Sequence, residues 1–381
     1  MNSVVALLGR PDTPTDGVAD HCAFLGRALA RHGVDFAIVR APATEATWFR
    51  SLWQLWRMSA AWRGKWVLLQ YTALGWSRRG FPFAAVAAIL LMGMRGVRCG
   101  VVFHEPFRQG ADRNLAWKDA IRGACQDWVI RALHRFSRIS IVTLPLTKIP
   151  WLAPEDPKAV VIPISANIPE QLRSVDSATL VANTSRPKSV AVFCFTPGSN
   201  AIHEVADTVQ AIRAARSQGI AIRLVAIGRG TAEMSAEIES ALTGSGAEIS
   251  ILGMIPAEEI AAQLSAADVQ LFVCGPVSQR RSTALAGIAC GLPIVGYQGL
   301  AEGTPLAEAG LCLVPYRDSA ALSAALTRVL QDDELAAQLR RKSRVAHDKY
   351  FSWDAVAACY LQALRIGVPA ASAVAAGSRG D

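Results

Sequence analysis

The chain alternates short, almost wholly apolar runs with longer segments whose apolar residues recur every three to four positions. Val4–Leu8, Phe36–Val39, Val67–Gln70, Cys99–Phe103, Ile139–Thr143 and Val160–Ile162 predict strands. Runs this apolar suit strands buried on both faces. Between them, Val18–His32 and Asp119–Arg135 have helical spacing. The rhythm lapses in the polar, weakly periodic stretch 165–189, which reads as a linker. It resumes with strands predicted at Val190–Phe195, Arg223–Ile227, Ile249–Leu252, Val269–Cys274, Ile294–Tyr297 and Cys312–Val314. The helices expected beside them are Val205–Ser217, Ala232–Thr243, Ala257–Ala266, Thr283–Ala289 and Ala320–Leu330. Alternation of this kind predicts parallel sheets covered by helices.

The expected class is therefore α/β, with two doubly wound, Rossmann-like domains facing across a cleft at the carboxyl ends of their strands. Open α/β sheets bind ligands there. The boundaries fall at 1–168 for the first domain, 169–188 for the linker and 189–350 for the second domain. Leu335–Lys349 and Trp353–Ile366 read as closing helices, with a terminal helical segment at 351–368 and a mobile tail at 369–381. Phe83–Met94 is apolar but well short of the roughly 20 residues a spanning helix needs. The first 17 residues reach Arg10 and Pro11 after a short apolar run, which reads as a first strand rather than a signal peptide.

Composition sharpens this picture in three places. With 51% hydrophobic and 18% charged residues, the chain can build two cores rather than remain disordered. Residues 40–140 hold 16 Lys/Arg against 5 Asp/Glu, an excess of 11 that exceeds the whole chain's +8. Six of the ten tryptophans lie between Trp48 and Trp76. A basic, Trp-rich region suits an anionic surface. Within it, Trp48, Leu52, Leu55, Trp56, Trp62 and Trp66 approximate an apolar stripe flanked by Arg50, Arg57, Arg63 and Lys65. That fits a lipid headgroup boundary, and equally a helix packed on its own sheet with snorkelling arginines. No nucleic-acid recognition motif accompanies the basic half. The eight cysteines have no CxxC pair or metal-ligand spacing, as expected of reduced, buried thiols in a cytosolic protein.

Four segments carry candidate chemistry. In "PTDGVADHC", Asp16 and Gly17 precede a helix whose N-terminal amides favour an anion, although a capped strand-to-helix turn reads the same way. In "VVFHEPF", His104 and Glu105 stand at a strand's carboxyl end, where His104 could donate to a sugar hydroxyl or move a proton. "CGPVSQRRSTALAGIACGLPIVGY" breaks a strand at Gly275-Pro276 and places Arg280, Arg281, Ser282 and Thr283 before a helix. Guanidinium groups and helix amides together suit a diphosphate. In "AIGRGTAE" and "ILGMIPAEE", Gly228 and Gly253, followed by Met254, mark strand ends at which a planar base could approach the backbone.

Together with "LLQYTALGWSRRGFP" and "FSWDAVAACYLQAL", these pieces resemble the GT-B glycosyltransferases of family 4, as found in bacterial polysaccharide gene clusters, from about residue 4 to 366. The resemblance implies a nucleotide-diphosphate-sugar donor held by the second domain and an acceptor bound by the first. It implies sugar transfer with retention and no metal or other cofactor, and a C-terminal helix crossing back onto the first domain. His104 falls on the family's sugar-contacting histidine and Gly17 on its diphosphate-facing turn. The family's paired glutamates are replaced by Ser278 and Ala286, and its strand-end Arg and Lys are missing from "FCFTPGSNAIHE". Arg280 and Arg281 stand to replace that charge.

The expected function is a cytoplasmic hexosyltransferase extending a lipid-linked glycan for surface or exopolysaccharide. It would touch the inner membrane peripherally through residues 48–79 and bind no nucleic acid. Asp16 and Glu105 are candidates for positioning or proton acceptance. A non-catalytic GT-B-like scaffold, or a nucleotide-sugar-binding module, of a polysaccharide assembly complex is the rival expectation, favoured by the missing glutamates.

Overall fold

The structure is a computed structural model and describes residues 2–11, 16–42, 48–107, 117–169, 186–196, 198–299 and 304–367. Most of the expected linker and the whole of the expected tail lie outside the described residues. The chain divides into two compact units, Met1–Ile162 with Trp353–Asp381, and Pro163–Ser352.

In the first unit the strands are β1 (Asn2–Leu8), β2 (Val34–Arg40), β3 (Trp66–Tyr71), β4 (Arg98–Phe103), β5 (Ile139–Val142) and β6 (Ala159–Val161). All pair in parallel, in the order β2-β1-β3-β4-β5-β6. The helices are α1 (Gly17–Arg31), α2 (Trp48–Ser59), α3 (Ala73–Trp76), α4 (Phe83–Met94) and α5 (Trp117–Phe136). To these the unit adds α12 (Trp353–Ala363), from the far end of the chain. Successive strand residues face opposite layers. Val5, Leu7, Val67, Leu69, Val101 and Phe103 meet Leu55 of α2, Ile89 and Met92 of α4, and Leu133 of α5. Val4, Leu68 and Val102 meet Leu25 and Leu29 of α1 and Trp353, Val356 and Leu361 of α12. Burying each such side chain contributes roughly 1.5–3 kcal/mol, and both sheet faces are served.

The second unit contains β7 (Lys188–Phe193), β8 (Ile222–Ile227), β9 (Glu248–Gly253), β10 (Val269–Pro276), β11 (Ile294–Tyr297) and β12 (Leu311–Val314). These too are parallel, in the order β12-β11-β10-β7-β8-β9. Its helices are α6 (Ser199–Ser217), α7 (Ser235–Leu242), α8 (Ala257–Ala266), α9 (Ser282–Ala289), α10 (Ser319–Gln331) and α11 (Asp333–Ala346). One layer packs α6 and α10 on Val190, Val192 and Leu271, and the other packs α8 and α9 on Ala191 and Phe272.

Several boundaries differ from the sequence reading, two of them with a local physical reason. The strand expected to reach Phe195 stops at Phe193, because Cys194 adopts φ 70°, a left-handed conformation that ends an extended run. The helix expected from Val205 begins at Ser199, and its apolar period is carried back by Ala201 and by Glu204, which is 6% exposed.

The tryptophan stripe resolves into α2, a short turn and β3. Ser51, Leu55, Ser59 and Trp62 face the core, while Trp53, Arg57 and Met58 face solvent. Arg57 lies over the Trp53 ring at 4.8 Å, and Arg95 over Trp56 at 3.9 Å.

Candidate functional site

A doubly wound sheet opens a crevice where chain connections diverge from its first strand, at the carboxyl ends. In the second unit that point lies between β7 and β10. Cys194 follows β7, and Gly275, at φ 80°, turns the chain near the end of β10. Their neighbour α9 starts at Ser282 with Arg281 as its N-cap residue. A side chain on Gly275 would stand 3.6 Å from an Arg281 guanidinium nitrogen, so the guanidinium lies over this turn. Arg281 is exposed, whereas Arg280 is half-buried with its Nε enclosed.

The sulfurs of Cys194 and Cys274 lie 3.2 Å apart beneath α9's first turn. The Cys274 Sγ also stands 2.7 Å from the Cys194 carbonyl oxygen, to which it donates. The Cys194 thiol is pulled below its usual range, chiefly by its hydrogen bond with Cys274 and also by the Thr283 side chain. Cys274 is pushed far up by the same contact and by burial. Thr283 and Arg281 are thus gathered at the crevice, and the thiol pair there had no signal in spacing along the chain. Only the adjacency of β7 and β10 brings it together.

Gln270 was also missed. Fully buried on β10, it donates from Nε2 to the Thr283 carbonyl at 3.0 Å and so anchors α9's start. A methyl group on Gly287 would stand 1.9 Å from the Gln270 Oε1, so only glycine lets the amide reach across. Glu204, likewise buried, accepts from the Thr196 N–H at 2.6 Å and holds the turn after β7.

The remaining expected donor residues lie at other strand ends. Gly228 donates its N–H to Gly253 O at 2.6 Å, both with positive φ (90° and 62°), tying β8 to β9. A side chain on Gly228 would meet the Phe193 ring at 2.9 Å. Met254, beside them, is 58% exposed. Of the positions that carry glutamates in the resembling family, Ser278 is half-exposed. Ala286 is 1% exposed inside the core layer.

In the first unit the corresponding point lies between β1 and β3. Here Arg10 donates its N–H to Gly75 O at 2.7 Å, and any side chain on Gly9 would strike that oxygen. Asp16 caps α1, accepting from the Ala19 N–H at 3.0 Å, while its other oxygen pairs with Arg40 at 2.7 Å. Gly17 opens α1 without a positive φ, and a side chain there would meet nothing within 4 Å. The residues just before it, 12–15, lie outside the described residues.

His104 is half-buried at the end of β4, with Nε2 2.8 Å from the Gln70 Oε1. Gln70 is itself oriented by donating to Leu68 O at 3.2 Å. In neutral His104 this assigns the proton to Nε2 and makes Nδ1 an acceptor. Glu105 accepts from the Ala73 N–H at 3.4 Å. Behind His104, at 5.4 Å between ring centroids, is His21, which Trp353 covers from α12 at 5.2 Å. Burial, and secondarily the charge of His104, lower the His21 pKa to about 3.

Residues 188–332 match the family model of the glycosyl transferases group 1. That match lies within the second unit. The two-domain GT-B fold extends along nearly the whole chain. Anabaena HepE (Alr3699), solved with UDP and glucose, is 12% identical with a TM-score of 0.66, covering 96% of this chain and 100% of that one. Sucrose-phosphate synthase from Thermosynechococcus elongatus is 18% identical at 0.63, over 96% and 98%. WaaG, a glycosyltransferase involved in lipopolysaccharide biosynthesis, is 14% identical at 0.55, over 95% and 99%. At these identities the likeness speaks to the fold. No curated protein sequence matches the chain.

Proposed function

We propose that this GT-B protein transfers a hexose from a nucleotide-diphosphate-sugar, of which a UDP-sugar is the simplest choice, to a lipid-linked glycan in surface polysaccharide synthesis. The observation that carries the reading is Arg281, placed at the N-terminus of α9 and over Gly275, at the ligand crevice of a group 1 glycosyl transferase domain. As the bond from the sugar's C1 to the diphosphate breaks, charge grows on the leaving oxygens. Arg281, Arg280, the Ser282 and Thr283 hydroxyls and α9's free amides would receive that charge in place of a metal. Preorganised donors of this kind are worth on the order of 3 kcal/mol each. Gly228, Gly253 and Met254 would border the base.

In the first unit, Gly17 and α1's N-terminus would help to hold the diphosphate. His104 Nδ1 would accept a hydroxyl proton from the donor sugar, its ring held by Gln70. Glu105 and Asp16 act in this reading as positioning groups, since each carboxylate already holds a backbone N–H. Peripheral membrane contact on the inner face is supported by exposed Trp53, Phe83, Leu90, Met94 and Trp128 on three packed helices within the basic region. HepE's UDP and glucose and WaaG's role in lipopolysaccharide biosynthesis support the choice of donor and product.

The test is calorimetry and turnover with a panel of nucleotide-sugars, using wild type and folded Arg280→Ala and Arg281→Ala proteins. A charged hydrogen bond is worth about 1.5–3 kcal/mol, so Arg281→Ala should weaken donor binding roughly ten- to hundredfold. Activity near wild type in both variants would remove the arginine assignment. One observation favours a binding scaffold instead. Ala286 is sealed in the core where the resembling family carries a glutamate. Donor binding without turnover on any acceptor would select that alternative.

A further inference from the structure

Cys194 and Cys274 follow or end neighbouring parallel strands, β7 and β10, at the crevice. Strands in a sheet run about 4.8 Å apart, within the Cα separation a disulfide spans. Their sulfurs at 3.2 Å need to close by only about 1.1 Å to reach the bonded distance. The two thiols are also chemically unequal. Cys194 is the more exposed, and its thiol is drawn below the usual range by its hydrogen bond with Cys274 and by Thr283 and Arg281, against burial and Glu204, while Cys274 is 3% exposed and pushed far up. Redox-responsive pairs commonly set an accessible, low-pKa thiol next to a second cysteine that can resolve it. Buried Cys22 and Cys99, by contrast, have thiols pushed up to about 12 by burial.

We propose that Cys194 and Cys274 form a reversible disulfide in response to hydroperoxide, and that this bond disables the crevice. The second clause rests on the donor-binding role given to that crevice above. The Cys194 thiolate attacks the peroxide's outer oxygen, the O–O bond breaks, and the departing oxygen takes a proton and leaves as water or alcohol. Cys194 is then a sulfenic acid. The Cys274 sulfur attacks that sulfur, the S–OH bond breaks, and hydroxide leaves with the Cys274 proton as water. Both thiols have lost one electron each and the peroxide has gained two. Closing the bond draws Cys194 toward β10 and away from its hydrogen bond with the Thr283 side chain. The first turn of α9, with Arg281 at its head, loses that tether.

The experiment uses the full chain, exposed to hydrogen peroxide, alkylated, digested with trypsin and mapped by mass spectrometry. Tryptic peptides 189–213 and 230–280 each contain one cysteine, Cys194 and Cys274 respectively. They should appear joined, about 2 Da lighter than the separate thiols together. In Cys274→Ser, Cys194 should instead be trapped by dimedone as the sulfenic acid. Both peptides recovered unlinked, whether as alkylated thiols or with Cys194 over-oxidised, would overturn the bond. The linked chain should lose UDP-sugar affinity by roughly tenfold or more, as misplacements near 1 Å do, and regain it with dithiothreitol. Unchanged affinity in the linked chain would overturn the gate. If the reduced chain binds no nucleotide-sugar, that failure belongs to the proposed function, and the peptide map still decides the bond.

Discussion

Acidification should destabilise the first unit through His21. The side chain is 5% exposed, and its Nε2 is enclosed with no hydrogen-bond partner among the described residues. Trp353 and His104 face it, and the neighbouring imidazole only adds to the cost of a proton. The folded pKa of about 3 lies below the ordinary imidazole value of 6.5, so protons favour the unfolded chain. The stability is complete above pH 6.5 and is lost as pH falls toward 3. Each unit of separation corresponds to 1.36 kcal/mol. Between pH 7 and pH 5 the loss therefore amounts to about 2 kcal/mol. All ten tryptophans lie in the first unit, so tryptophan fluorescence during urea unfolding reports this unit selectively. His134, whose pKa burial also lowers, contributes in the same direction. The comparison that isolates His21 is the difference in pH dependence between wild type and His21→Leu, a substitution of similar volume. The variant should retain about 2 kcal/mol more of its pH 7 stability at pH 5. Equal slopes in the two proteins would refute the assignment of this proton to His21.

Three further outcomes follow from packing and surface chemistry. Gly287→Ala places a methyl group against the Gln270 Oε1 and should cost about 2–5 kcal/mol through overpacking and loss of the amide's hydrogen bond. Much of this should return in Gln270→Ala/Gly287→Ala, as read from urea midpoints. Trp353→Ala should destabilise the first unit by about 3–5 kcal/mol, since the ring is 2% exposed and stacks on Phe24 at 5.5 Å. Thermal unfolding followed by circular dichroism checks it. The protein should sediment with anionic vesicles at low salt and release at high salt. Trp53→Ala with Met94→Ala should weaken that binding severalfold, and absence of vesicle binding at low salt would remove the membrane reading.

The twelve strands were legible because most of their positions are covered on both sheet faces, so they appear as largely apolar runs. Their ends were less legible. Cys194 leaves the extended region inside an apolar stretch, and nothing in the identity of a cysteine announces φ 70°. The positions of Arg281 before a helix and His104 after a strand were legible from charge and from where apolar runs end. What stayed hidden depends on strand order. Cys194 and Cys274 are eighty residues apart, and only the placement of β10 beside β7 makes them neighbours. The amide of Gln270 reads as one polar residue in a buried strand, and its purpose appears only once Gly287 is found beneath it.

The return of α12 to the first unit has a consequence during synthesis. Residues 163–352 must leave the ribosome before Trp353, Val356 and Leu361 can cover Leu25, Leu29 and Leu68. At about 5–20 residues per second, the nascent first unit waits on the order of 10–40 s with one greasy flank open. During that interval the newborn chain offers a natural target for chaperones, and a message truncated before codon 353 would yield a product prone to clump.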